Sequence, residues 1–248
     1  MANRKISLNI RKTHRYLGLF LGIQFLFWTI SGLYFSWTNL DEIHGDQFKK
    51  TDVKHSGFYK LISPSSLNIE DPIKFIEFRE IANEPYYFIN NKTLYNATTG
   101  TIKNEINENE AVIIASKFIK EDLTVSNVEK ITETGPHHEY RERLLPAYVI
   151  SYDTKDNLKA YVSTTDGKFQ TVRHRNWRWF DFLWMTHTMD YEGRDDFNNK
   201  ILRAFSLLGL ITVMSGFTLW FVSSKTIRRI RFFLNKILFK YQKGIQKH

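Results

Sequence analysis

Apolar residues gather in two unbroken runs near the ends of the chain, and between them the pattern alternates. Tyr16 to Leu40 holds 25 residues without a charge, enough for a helix to cross a hydrocarbon layer about 30 Å thick. Ala204 to Ser224 is a second uncharged run, of 21 residues. The first run ends in Tyr, Phe and Trp rather than in a small-x-small cleavage signal, so a retained helix is expected and not a removed leader. Transmembrane helices are therefore predicted over 16–40 and 201–224. The rest of the chain is organised around Arg173 to Trp220, where an aromatic-rich segment leads through a charged turn into the second apolar run.

The middle of the chain changes period. Lys74–Arg79 alternates, Pro85–Ile89 is rich in strand formers, and Thr93–Asn96 runs into a turn at Thr98-Thr99-Gly100. Over 107–122 the spacing becomes helical, with Ala111, Ile114, Ala115 and Phe118 on one face and Val112 and Ile119 widening it. Asn107 and Glu110 stand at the spacing of a capping box. Strand patterns return at Val128–Thr132, Ala147–Tyr152 and Lys159–Ser163, and Asp166-Gly167 marks the turn before Lys168–Val172. LYNATTGTI at 94–102 and AYVSTTDGKF at 160–169 repeat one strand–turn–strand unit. The expected fold is a membrane protein whose two transmembrane helices flank one α+β domain, an antiparallel sheet plus helix over 41–172. An aromatic interfacial segment follows over 173–200.

Charge orients this arrangement. Residues 1–15 carry five basic residues and no acid, and residues 223–248 carry eight and no acid. These thirteen charges exceed the net +9 of the chain, so residues 16–222 are net −4. Basic ends around an acidic middle fit positive-inside flanks and not a nucleic-acid surface. Both termini are expected in the cytoplasm and 41–200 on the far side, with Tyr34, Trp37, Trp177, Trp179 and Trp184 as an outer aromatic belt. The tail 225–248 interleaves apolar and basic residues, as an amphipathic helix on an anionic leaflet does. Within the first helix, Gly18 and Gly22 have the spacing of a close helix contact, and Gln24 is expected to bond a neighbouring helix.

The chemistry narrows to histidine. The chain has no cysteine, which excludes thiolate metal sites, iron–sulfur clusters and disulfides. It has no hydrolase signature and no nucleotide, flavin or nicotinamide fingerprint. His14 stands at the start of the first helix, His44 just after it, and His187 before the second. A neutral imidazole at a membrane boundary is the type of axial ligand that b-type haem uses, and these three are the candidate cofactor-binding residues. The plainer role is a hydrogen bond to backbone, carboxylate or lipid phosphate. At 1.5 Å per residue the first helix separates His14 from His187 by roughly 30 Å, so one chain cannot bring both to one iron. His44 with His187, or equivalent histidines across a dimer, remain open. His137-His138 reads as a polar surface loop. Asp190, Glu192, Asp195 and Asp196 either attract a cation or hold their turn in water.

Several of these segments resemble the PepSY-associated transmembrane family. RKTHRYLGLFLG at 11–22 resembles its His-x-x-x-Gly opening, and WFDFLWMTHTMDY at 179–191 its Leu-x-x-x-His element before a helix. TISGLYFSW at 29–37 and VMSGFTLWF at 213–221 resemble its Thr-Gly helix segments, with Ser in place of Thr. LYNATTGTI and AYVSTTDGKF are similar to the PepSY strand carrying D-x-x-T-G, and ENEAVIIASKFI at 108–119 to the PepSY helix. By position His14 and His187 match the family histidines. The resemblance implies a bacterial inner-membrane protein with a PepSY-like periplasmic domain, serving haem- or iron-linked electron transfer like siderophore-iron reductases. Larger members have additional helices, so a homodimer or a larger membrane complex would complete the ligand set. It equally implies a non-enzymatic module that binds an exported protein, or an accessory subunit. Whether the chain is a membrane oxidoreductase component is left undecided by its residues.

Overall fold

The computed structural model describes residues 4–224 and residue 229; the amphipathic tail expected over 225–248 lies outside the described residues. The chain forms two units. One comprises the residues through Leu33, Met185–Tyr191 and those from Asp195 onward, and the other comprises Tyr34–Trp184 with Glu192–Arg194.

The first unit is helical. Helix α1 (Arg4–Trp37) begins well before the uncharged run, because Arg4, Lys5, Arg11 and Lys12 are good helix formers and interrupt nothing. The last long helix, α5 (Lys200–Ser223), is started by Asn199, whose side chain accepts from the Leu202 amide. Leu8–Trp37 and Lys200–Phe221 are long and apolar enough to cross a membrane, and both are compatible with insertion. Large apolar side chains such as Leu19, Ile23, Leu210 and Phe217 are exposed along them. The two helices pair in opposite senses, with Phe20 stacked on Phe205 at 5.5 Å between ring centres. Close approach is made at Gly209, where a Cβ would stand 3.1 Å from Phe25 Cζ. Gly18 and Gly22, the pair with the suggestive spacing, have nothing within 4 Å of their Cβ positions. Gln24 bonds as its isolation in an apolar run predicts, donating from Nε2 to the Thr186 carbonyl at 3.0 Å.

The second unit holds two four-stranded antiparallel meanders. The first is β1 (Ile76–Ile81), β2 (Glu84–Ile89), β3 (Thr93–Asn96) and β4 (Ile102–Lys103), in that order. The second is β5 (Val125–Ile131), β6 (Ala147–Tyr152), β7 (Lys159–Ser163) and β8 (Phe169–Arg173). Between them in sequence, α3 (Glu108–Phe118) carries the expected capping box of Asn107 and Glu110. It stops at Phe118 and not at 122, because Ile119 turns extended and bridges to Lys49. One core gathers Tyr86, Phe88 and Leu94 of the first sheet, Ala111, Ile114 and Ala115 of α3, and Ile150, Ala160 and Val172 of the second. The two meanders are thus repeats sharing one interior.

Other elements differ from the sequence expectation too, and β1 runs two residues later than the alternating stretch Lys74–Arg79. Strand β5 starts at Val125, three residues early, through a bulge between Val125 and Asn127 that the residue pattern does not announce. The aromatic segment after β8 is a regular helix, α4 (Arg175–Thr188). Trp177, Phe180 and Trp184 recur at helical spacing, and Phe180 and Trp184 pack against Phe35, at 4.9 and 5.8 Å between ring centres. A short helix, α2 (Leu40–Ile43), follows α1.

Candidate functional site

In the helical unit, two histidines are held in matching ways. His187 Nδ1 lies 2.7 Å from Ser31 Oγ. That hydroxyl donates its single proton to the Phe27 carbonyl at 2.7 Å, so it accepts from the imidazole and assigns His187 the Nδ1–H tautomer. The ring is further placed by the His187 carbonyl, which accepts from Trp28 Nε1 at 2.8 Å. At the other end of α1, His14 Nδ1 lies 2.8 Å from Ser215 Oγ and 3.2 Å from the Thr212 carbonyl. Ser215 Oγ donates to that same carbonyl at 2.7 Å. A carbonyl only accepts, so His14 too carries its proton on Nδ1, and in both rings Nε2 bears the lone pair.

The serines belong to the two Ser-Gly pairs, Ser31-Gly32 and Ser215-Gly216. Gly216 makes room for the imidazole, since a Cβ there would lie 3.2 Å from His14 Cε1. Beside it on α5 runs an apolar groove of about 430 Å³ lined by Val213, Gly216, Phe217 and Trp220. An imidazole with a fixed tautomer next to a glycine and an apolar groove is a donor set that suits a haem, and a hydrogen bond given by the far nitrogen is how such rings are usually oriented. The structure does not bring His14 and His187 together. On α1, His14 and Ser31, the anchor of His187, stand about 25 Å apart along the axis.

The other histidines have different settings. His44 ends α2 through its backbone amide, and its exposed ring has no hydrogen bond among the described residues. It lies in the sheet unit, whereas His187 lies in the helical one. His174 is a core residue, 1% exposed, with Nε2 at 3.2 Å from the Ile43 carbonyl and Phe48 packed on its ring. Burial holds its imidazole below the usual histidine range, against the hydrogen bonds to the Ile43 and Glu42 backbone. His138 Nδ1 accepts from the Tyr140 amide. Asp190 holds its turn by accepting from the Asp196 amide at 2.9 Å, and among the described residues no group of three or more His, Asp or Glu gathers to hold a metal ion.

The sheet unit has a second polar assembly, which sequence reasoning missed. Glu139, from the loop before β6, accepts two bonds from Arg178 of α4 and one from the Tyr161 hydroxyl at 2.6 Å. Burial pushes the Glu139 carboxyl up, but the Arg178 and Tyr161 bonds outweigh it and hold it below the ordinary carboxylate range. Asp181 takes Arg141 at 2.8 Å and also Arg194. Arg173, 9% exposed, bonds only neutral acceptors, the Glu139 carbonyl among them, and stacks on Trp177 at 3.9 Å. Burial and the nearby Arg143 bring it down to about 10. These residues come from two loops, two strands and a helix, so no local motif could have shown them. The serines could have been found, because each stands before a glycine in an otherwise aromatic and aliphatic run.

Comparison of the chain with protein-family models, with curated proteins and with solved structures gives no match.

Proposed function

We propose that this chain is a bacterial inner-membrane protein of the PepSY-associated transmembrane kind that serves haem- or iron-linked electron transfer as a homodimer. In this reading 8–37 and 200–221 cross the bilayer, the sheet unit is periplasmic, and both termini are cytoplasmic. The observation that carries it is the matched pair of imidazoles, each fixed through Nδ1 by the serine of a Ser-Gly pair on another helix.

His14 and His187 would hold b-type haem through Nε2, which supplies one-electron iron chemistry. Ser215 and Ser31 keep the ring protons on Nδ1, and Gly216 keeps the space beside His14 open. Among the described residues one serine-held imidazole stands toward each end of α1, so the equivalent histidine of a second copy would supply the second ligand. His44, whose ring makes no hydrogen bond among the described residues, is not needed in this reading.

The test is the visible spectrum of detergent-purified protein prepared with haem, before and after dithionite. A sharp reduced α-band is expected. His14→Ala or His187→Ala should each lower haem per chain by about half, and the double variant should abolish it. Ser31→Ala or Ser215→Ala should weaken haem retention about 10–100-fold. A featureless spectrum from folded, haem-supplied protein sinks the electron-transfer reading. The second reading, a non-enzymatic binding module, would then lead. It is favoured by β5, a terminal strand with mostly exposed residues that pairs only with β6 and could take an added strand from an exported protein.

A further inference from the structure

The face of the second sheet turned away from the shared core carries more positive charge than it neutralises. Alternation along the strands puts Ser151, Lys159, Tyr161 and Arg173 on that face, since Ser151 pairs with Lys159 and Lys159 with Arg173. The loop holding Glu139 and the first turns of α4 close over it. A cleft of about 650 Å³ remains, with Lys159, Trp177, Arg178, Asp181 and Arg194 in its wall and His137 and His138 beside them. Its volume falls in the range of small-molecule sites.

Leaving aside the Asp181 cluster with Arg141 and Arg194, three cations (Lys159, Arg173, Arg178) face one carboxylate, Glu139. The surplus is two. Arg173 has no carboxylate of its own, and Lys159 Nζ makes no hydrogen bond or ion pair among the described residues. A half-enclosed surplus of this kind favours a multiply bonded oxyanion, which guanidinium forks and a lysine point charge both recognise.

The cleft has a neighbour. Asn157 and Arg178 also line an adjoining groove of about 410 Å³, whose other walls are Arg175, Trp179 and Phe182. Trp179 and Phe182 are 57% and 45% exposed. A polar cation-rich cleft running into an aromatic groove has the shape of an anionic amphiphile.

We propose that this pair of cavities binds one anionic phospholipid, with the phosphate group between Lys159 and Arg178 and an acyl chain along Trp179 and Phe182. The inference is independent of the haem reading, because none of its residues belongs to the histidine sites.

Isothermal titration of the full-length protein in maltoside micelles with dihexanoyl-phosphatidylglycerol, monomeric at the concentrations used, tests it. Saturable binding near one lipid per chain is expected, with dihexanoyl-phosphatidylcholine and inorganic phosphate at least about 10-fold weaker. Lys159→Ala should weaken the lipid by about 10-fold or more, and Trp179→Ala by a smaller factor. Lys159 supports no partner in the fold, so its variant stays folded, which circular dichroism verifies. Arg178→Ala is a poorer probe because it strands Glu139. Phosphate binding as tightly as the lipid would overturn the lipid assignment in favour of a small-oxyanion site. Equal binding of the choline lipid would overturn the role of the cations, and an unchanged Lys159→Ala or no saturable binding would overturn the whole proposal.

Discussion

The two four-stranded meanders have one topology and one interior, and they differ in what covers their outer faces. On the first sheet, Leu67, Ile89 and Tyr95 form a small apolar cluster with Ile62, and the Tyr87 hydroxyl donates to the Ile62 carbonyl. On the second sheet the cover is a stacked pair, Tyr140 on Tyr161 at 4.6 Å, surrounded by arginines and carboxylates. An apolar cover only adds burial. A charged cover needs every group paired, and where pairing is incomplete it leaves a place for a ligand. The repeat thus supplies a scaffold twice, and a charged cluster was built on one copy.

The sharpest way to break this contrast is to remove one carboxylate from each sheet. Asp181→Ala removes the carboxylate that Arg141 and Arg194 share in a nearly buried site, and a loss of about 3–5 kcal/mol is expected. Asp71→Ala removes only the exposed pair with Lys92 beside the first sheet, and should cost about 0–1 kcal/mol. Urea unfolding of the detergent-solubilised protein measures both, and similar losses would erase the distinction.

A smaller effect separates the two turn glycines. Gly100 and Gly167 both have positive φ, +79° and +63°, so alanine at either costs about 1–2 kcal/mol. A Cβ at 167 would also stand 2.8 Å from Ile81 Cδ1, against 3.2 Å from Ile62 Cδ1 at 100. Gly167→Ala should therefore lower the melting temperature further, and an equal drop would mean that Ile81 yields freely.

The smallest effect is a pH window. His174, directly after β8, is held below its usual range by burial. The unfolded chain therefore takes up its proton first, so stability present above about pH 6.5 declines as pH falls from there through the lower folded value. Beside the first sheet the shifted carboxyls are Glu77, lowered by its Arg79 bond, and Glu80, where burial is outweighed by Lys117 and Ser56. Their folded values are depressed, so their contribution holds above about pH 4.3 and is lost only below it. Melting curves between pH 7 and 5 should show a decline that His174→Phe flattens, while Glu80→Gln leaves that window unchanged.

Much of this architecture was legible in the residues. The capping box at Asn107 and Glu110, the face Ala111–Ile114–Ala115, the repeated Thr-Thr turns and the lone Gln24 each act through neighbours close in sequence or through a solvent preference that one residue type carries. The two apolar helices follow from length and the absence of charge. The bulge at Val125 and the helix over 175–188 were less legible, because the pairing partner β6 decides the one and packing on Phe35 decides the other.

The candidate sites divide along the same line. Sequence alone singled out His14, His44 and His187 and showed that one chain keeps His14 and His187 apart, since helix rise per residue is fixed. Only the tertiary structure supplied Ser215 for one and Ser31 for the other, and with them the ring tautomers. It also moved the close glycine contacts from Gly18 and Gly22 to Gly209 and Gly216, and gathered Glu139, Lys159, Arg173, Arg178, Asp181 and Arg194 from loop, strand and helix. Spacing along the chain governs contacts within an element. Contacts between elements depend on how side chains interlock across a gap of a few ångströms, and nothing local in the sequence encodes that.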